Sequence, residues 1–181
     1  MNIQVKDSFI AGLINGAING YIASHHFKGM SSVPMSMEMI SNSQVTVWGQ
    51  AISLTFGLGI ILSLITSTLF LRQLKISHPQ YRHELQRSFW KDLLPIALMQ
   101  AGALFGWFVA LAVIWTKYAG VVMVSPMAVI WTKYAGVVMV SPMAAVVLTG
   151  LFAFVITIVV EVRTKSSIIY KKVNILEQKA I

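Results

Sequence analysis

The sequence predicts an all-α integral membrane protein of four transmembrane helices in two hairpins, with both ends of the chain on the cytoplasmic side. Three observations carry this reading. Of the 181 residues, 56% are hydrophobic and only 11% charged, whereas a soluble domain carries about 25% charged residues. The apolar residues gather in long uncharged runs, and the basic residues that separate those runs are unevenly distributed between alternate loops. Too little charge is available to wet a globular surface, so an ordinary soluble protein is excluded.

Residues 8–24 form the first run, bounded by Lys6 and Asp7 before it and by His25, His26 and Lys28 after it. Residues 45–71 form the second, closed by Arg72 and Lys75. The third, residues 93–116, lies between Asp92 and Lys117, and the fourth, residues 144–160, ends at Glu161. A spanning helix needs roughly 20 apolar residues at about 1.5 Å each, which the second and third runs exceed and the first and fourth approach. Helices are expected because backbone groups in hydrocarbon must satisfy one another, and the runs lack the alternation of barrel strands. The whole chain reads as one polytopic domain.

Orientation follows from lysine and arginine. Lys6, the cluster from Arg72 to Lys91 and the cluster from Arg163 to Lys179 fall on one side, leaving only Lys28, Lys117 and Lys133 on the other. The positive-inside rule places the richer side in the cytoplasm. Tyr21, Trp48, Trp115 and Tyr118 are then expected at the outer interface and Trp90 at the inner one. The first run is not read as a cleaved signal peptide, since Asn15 and Asn19 interrupt it and no small-x-small cleavage site follows. In the middle loop, Tyr81, Leu85 and Phe89 recur every four residues after Pro79, as in an amphipathic helix on the inner membrane surface. Ile169, Val173 and Leu176 suggest a weaker version near the C-terminus.

Residues 112–127 read AVIWTKYAGVVMVSPM, and residues 128–143 repeat all of it without change. Copies this alike are a recent or deliberate insertion. The uncharged stretch of the copied region, residues 118–132, contains Gly120 and Pro126 and is too short for a fifth span. The copy is expected in the outer loop between the third and fourth spans. A fainter likeness lays the first span, from Lys6 and Asp7, on the third, from Lys91 and Asp92. It fits two hairpins related by an axis along the membrane normal.

Small residues recur at helical spacing: Gly12, Gly16 and Gly20 in the first span, Gly49, Ser53 and Gly57 in the second, Gly102 and Gly106 in the third. Such rows let helix backbones approach where lipid offers no hydrophobic drive. Asn15, Asn19, Gln50 and Gln100 are the amides within the runs. An amide unpaired in hydrocarbon is costly, so each is expected to face another helix, water or a solute. The four runs hold no Asp, Glu, Lys, Arg or His, which disfavours proton-coupled antiport through an embedded carboxylate.

His25 and His26 precede Met35, Met37 and Met39 in the first outer loop. Thioether and imidazole are soft and borderline ligands, so the group is a candidate Cu(I) site, against the plainer reading of methionine as packing material. No other cofactor is expected. With no cysteine and no Ser–His–Asp set, Walker loop or HExxH pattern, an enzyme is not expected. Nor is a nucleic-acid binder, because the basic residues flank apolar runs instead of forming a face. The leading expectation is a transporter or channel-like subunit for a neutral or weakly polar solute. It would sit in a bacterial inner membrane as an oligomer, with the four amides lining its path. The alternatives are a non-transporting accessory protein that binds other membrane proteins, or the outer-face Cu(I) binder.

Overall fold

The computed structural model describes residues 5–35, 45–77, 79, 89–122 and 138–179. Four long helices dominate: α1 (Val5–His26), α2 (Val47–Ser77), α3 (Leu94–Val122) and α4 (Pro142–Lys179). A five-residue π-helical turn, Phe89–Leu93, leads into α3. Pro95 lies just beyond it and lacks the N–H that would bond the carbonyl of residue 91, so a widened turn at this point relieves the ring's crowding. Two short strands, β1 (Val33–Pro34) and β2 (Met139–Val140), pair antiparallel and tie the loop after α1 to the entry of α4. Met35 extends the tie by donating its N–H to Val138 O at 2.7 Å.

Local chemistry sets the helix starts. Thr46 caps α2: its Oγ1 accepts from Gly49 N–H at 2.9 Å, satisfying a backbone donor that has no partner within the helix. Ser141 does the same for α4, its Oγ accepting from Ala144 N–H at 3.2 Å, and Pro142 takes the first helical position. Both residues belong to the second copy of the repeat. The first copy contributes Ala112 through Val122 to the end of α3. Thus the described parts of the two copies do different work, one prolonging a helix and the other pairing a strand and starting a helix.

Three helical segments are long and apolar enough to cross a membrane: Val47–Ser77, Trp90–Trp115 and Pro142–Tyr170. The 22-residue α1 is not among them. It carries Lys6, Asp7 and the two histidines at its ends and two asparagines within. The helices outrun the uncharged segments expected from the sequence. With 38 residues α4 is about 57 Å long, well beyond a hydrocarbon core of about 30 Å. Charge ends an apolar run without ending a helix, and Glu161 and Lys165, one turn apart and 2.8 Å from each other, support this one where it continues.

The helices do not pack as two sequential hairpins. The extensive interfaces join α1 to α4, α4 to α2 and α2 to α3, so α4 and α2 stand between α1 and α3, and α1 lies against a helix more than a hundred residues away. The reason is the glycine row of α1. A Cβ on Gly16 would stand 2.9 Å from Gly150 O, one on Gly150 would stand 3.0 Å from Gly16 O, and one on Gly12 would stand 2.9 Å from the Phe154 ring. Only glycine permits this approach, and the glycine of α4 that answers it is Gly150.

In α2 and α3 the buried rows are not the ones expected. Ala51, Thr55, Gly59, Ser63 and Ser67 are buried at four-residue spacing in α2, while Ser53 and Gly57 are exposed. A Cβ on Gly59 would lie 3.0 Å from Ala101 Cα and Cβ, whereas one on Gly57, Gly102 or Gly106 would meet nothing within 4 Å. Both helices therefore turn toward their neighbours a row that is small but not mainly glycine, with Ala97, Ala101 and Ala112 serving in α3. Ala is small enough for close packing and favours the helix more than Gly does.

An apolar core occupies the strand-bearing end of the bundle, around Phe27, Val33, Trp48, Phe108, Ile156 and Val160. A smaller one, Leu71, Leu74, Leu93 and Ile168, closes the other end. The expectation of Trp48 as an interfacial anchor is corrected here. It is 5% exposed and stacks on Phe152, with ring centroids 5.3 Å apart, whereas Tyr21 and Trp90 are exposed.

This packing separates glycines that matter from glycines that do not. Gly16→Ala should cost about 1–3 kcal/mol through overpacking, and Gly102→Ala should be neutral or stabilising by up to about 1 kcal/mol through helix propensity. Reversible unfolding of the purified protein in mixed micelles measures both, and equal effects would contradict the interface described.

Candidate functional site

The amides within the bundle divide between two clusters. In the first, Asn19 Nδ2 donates to Asn15 O at 2.9 Å and to Asn15 Oδ1 at 3.0 Å. Asn15 Nδ2 donates across the interface to Thr157 Oγ1 at 2.6 Å, and Thr157 passes its own proton to Ala153 O at 2.7 Å. The four groups form a directed chain of hydrogen bonds from α1 into the backbone of α4. Asn15 and Asn19, one turn apart, meet because residues i and i+4 share a helix face.

The second cluster joins three helices. Gln100 Oε1 on α3 accepts from Ser63 Oγ on α2 at 3.2 Å and from Thr164 Oγ1 on α4 at 2.9 Å. The Ser63 and Thr164 hydroxyl oxygens are themselves 3.3 Å apart. Two hydroxyl protons serve three contacts, so the two hydroxyls either share the amide oxygen or one of them turns to the other. Gln100 is 7% exposed and Ser63 and Thr164 are fully buried. In a low-dielectric surrounding such contacts strengthen and their loss is costly.

A third polar contact lies near the same end of the α1–α4 interface. Lys165 Nζ pairs with Glu161 Oε2 at 2.8 Å and donates to the buried Ser8 Oγ at 3.3 Å. Both charged side chains are mostly buried.

The expected amide lining is not assembled as one path. Asn15 bonds α4 and Asn19 bonds Asn15, Gln100 bonds α2 and α4, and Gln50 stands apart, half-buried in the first turn of α2 with its backbone N–H on Thr46 O at 3.0 Å. The expected metal ligands are also spread. His25 and His26 are exposed on the last turn of α1, Met35 is buried in the apolar core, and Met37 and Met39 lie outside the described residues. Among the described residues no group of three or more His, Asp or Glu is placed to hold a metal ion. The middle-loop stripe of Tyr81 and Leu85, and the side chains of Phe89, Val173 and Leu176, fall outside the described residues as well.

Sequence reasoning missed the hydroxyl partners. Ser63, Thr157 and Thr164 carry the acceptors and donors that hold the amides, yet serine and threonine are common in membrane helices and bond their own carbonyls just as readily. A usable signal was present in the spacing of Thr149, Thr157 and Thr164 along α4, which puts all three on one buried face. Two indoles were also read differently. Trp48 Nε1 and Trp115 Nε1 are buried without a hydrogen-bond partner among the described residues.

The described elements therefore define a class: a helical protein with three membrane-length apolar helices, joined inside by small residues and amide–hydroxyl contacts. Comparison with known protein families, with curated proteins and with solved structures finds no match to the chain.

Gln100→Leu and Ser63→Ala should each destabilise by about 0.5–2 kcal/mol, the range for interhelical hydrogen bonds in membrane proteins. The double variant should lose less than the sum, since both remove one shared contact. A double-mutant cycle in mixed micelles checks this, with full additivity counting against the cluster.

Proposed function

We propose that the chain is a multi-pass protein of a bacterial inner membrane. It serves as a helical scaffold that binds a transmembrane helix of another protein or of a second copy, and carries no solute itself. In this reading α1 is the fourth span, because it lies antiparallel along α4 at the same depth. The more basic loops and both chain ends face the cytoplasm.

The observation that carries the proposal is the position of Gly57, Gly102 and Gly106. Each is exposed, and a Cβ at any of them would meet no described residue within 4 Å. Glycine in a helix interior costs about 1 kcal/mol relative to alanine. A lipid-facing surface gives no return for that cost, whereas a second helix brought to backbone distance does. Ser53 and Ala110 prolong the two rows and are exposed too. The amides support the same reading. Asn15 and Gln100 hold their own bundle together, and a solute path would have to break those bonds.

The test is association in bilayers, read by energy transfer between labelled copies and by co-purification from native membranes. Gly102→Leu with Gly106→Leu should preserve folding, since both positions are exposed and a Cβ at either meets no described residue within 4 Å, and should abolish association. If the wild type instead conducts a neutral solute in proteoliposomes and loses that flux in Asn15→Leu with Asn19→Leu, while folding is retained, the transporter reading replaces this one.

A further inference from the structure

A groove of about 340 Å³ runs along the outward side of the α1–α4 contact, lined by Leu13, Gly16, Ala17, Val147, Gly150 and Leu151, with Phe154 at its foot. Gly16 and Gly150, in close contact, contribute backbone to its lining. Its walls are almost wholly apolar, so water would find no partners there, and a bilayer leaves no such space empty. Phe9 packs edge-on against Phe154, ring centroids 5.3 Å apart, and closes the foot. From that foot the lining on α1 climbs through Leu13 and Gly16 to Ala17.

That end is chemically distinct. Leu13, Ala17 and Tyr21 recur every four residues on one face of α1, and the exposed Tyr21 ring meets the His25 ring at 4.9 Å. His26 and Lys28 follow, both exposed. The acidic residues whose side chains are described, Asp7, Asp92 and Glu161, all lie near the opposite end of the bundle. From Leu13 to Tyr21 the helix rises about 12 Å, and to His25 about 18 Å. One leaflet of hydrocarbon is about 15 Å deep.

We infer that the α1–α4 groove holds one acyl chain of an anionic phospholipid from the leaflet on the His25 side, with its phosphate held at Tyr21, His25 and Lys28. The chain fills the space over Gly16 and Gly150, and the cationic end of α1 selects the headgroup. This inference does not depend on the scaffold reading. It concerns a different face from Gly57, Gly102 and Gly106.

The experiment is native mass spectrometry of the full-length protein, delipidated and then titrated with phosphatidylglycerol or phosphatidylcholine. The wild type should take up one phosphatidylglycerol in preference to phosphatidylcholine. Ala17→Phe, which fills the groove from its exposed wall, should lose that bound mass, while Leu69→Phe, on the exposed face of α2, should keep it. Lys28→Gln lies beyond the helix and leaves the packing alone. It should reduce the preference for phosphatidylglycerol about fivefold, the factor one interfacial lysine contributes against an anionic headgroup, and it serves as the test should Ala17→Phe not fold. Equal binding of the two lipids by the wild type overturns the inference, as does uptake unchanged in a folded Ala17→Phe or in Lys28→Gln. Conversion of a dimer to a monomer by Ala17→Phe also overturns it, and would assign the groove to a second copy.

Discussion

Contact between the backbones of Gly16 and Gly150 is the constraint on which the rest of the molecule depends. There α1 runs antiparallel along α4, with Gly12 against Phe154 on one side and Gly20 beside Val146 on the other. The same register puts Asn15 within 2.6 Å of Thr157 and brings Ser8 to Lys165. A side chain at either glycine would push the helices apart and strand every polar group that bonds across them. The groove lies beside the same contact, with both glycines in its lining.

The second constraint is polar satisfaction in an apolar surrounding. Asn15 and Gln100 are each coupled to a hydroxyl of another helix, Asn19 bonds Asn15, and each of those hydroxyls has a second use. Thr157 bonds the carbonyl of Ala153 while it accepts from Asn15, and Thr164 shares the Gln100 oxygen with Ser63. Such pairing is directional, whereas apolar packing between helices is not. Rotation of α3 about its axis would cost the Gln100 contacts while leaving much of its apolar contact intact. The polar contacts therefore select among the rotations that packing alone would allow.

The described residues of the two copies fall on different parts of the repeat, its beginning in the first copy and its end in the second. Ala112 through Val122 of the first copy continue a helix already under way, so they remain helical. In the second copy, Met139 and Val140 pair with Val33 and Pro34, and Ser141 and Pro142 begin a helix. Serine followed by proline is a strong helix start, and Ser141 and Pro142 stand directly before the apolar run of α4.

Read alone, the sequence determined the class of the protein, the number and placement of its long helices and the glycine row of α1. Those features depend on composition and on spacing within a single segment, which the chain carries whatever it packs against. The tertiary structure decided the partners. It set α1 on α4 in place of the expected hairpin with α2, and turned Ala51, Thr55 and Gly59 inward in place of Ser53 and Gly57. It also drew Gln100 to Ser63 and Thr164 while leaving Gln50 apart. A helix that is apolar all round has no strong amphipathic face, so its sequence does not say which side meets a neighbour. That choice falls to close approach and to hydrogen bonds between residues far apart in the chain, which exist only once the helices have met.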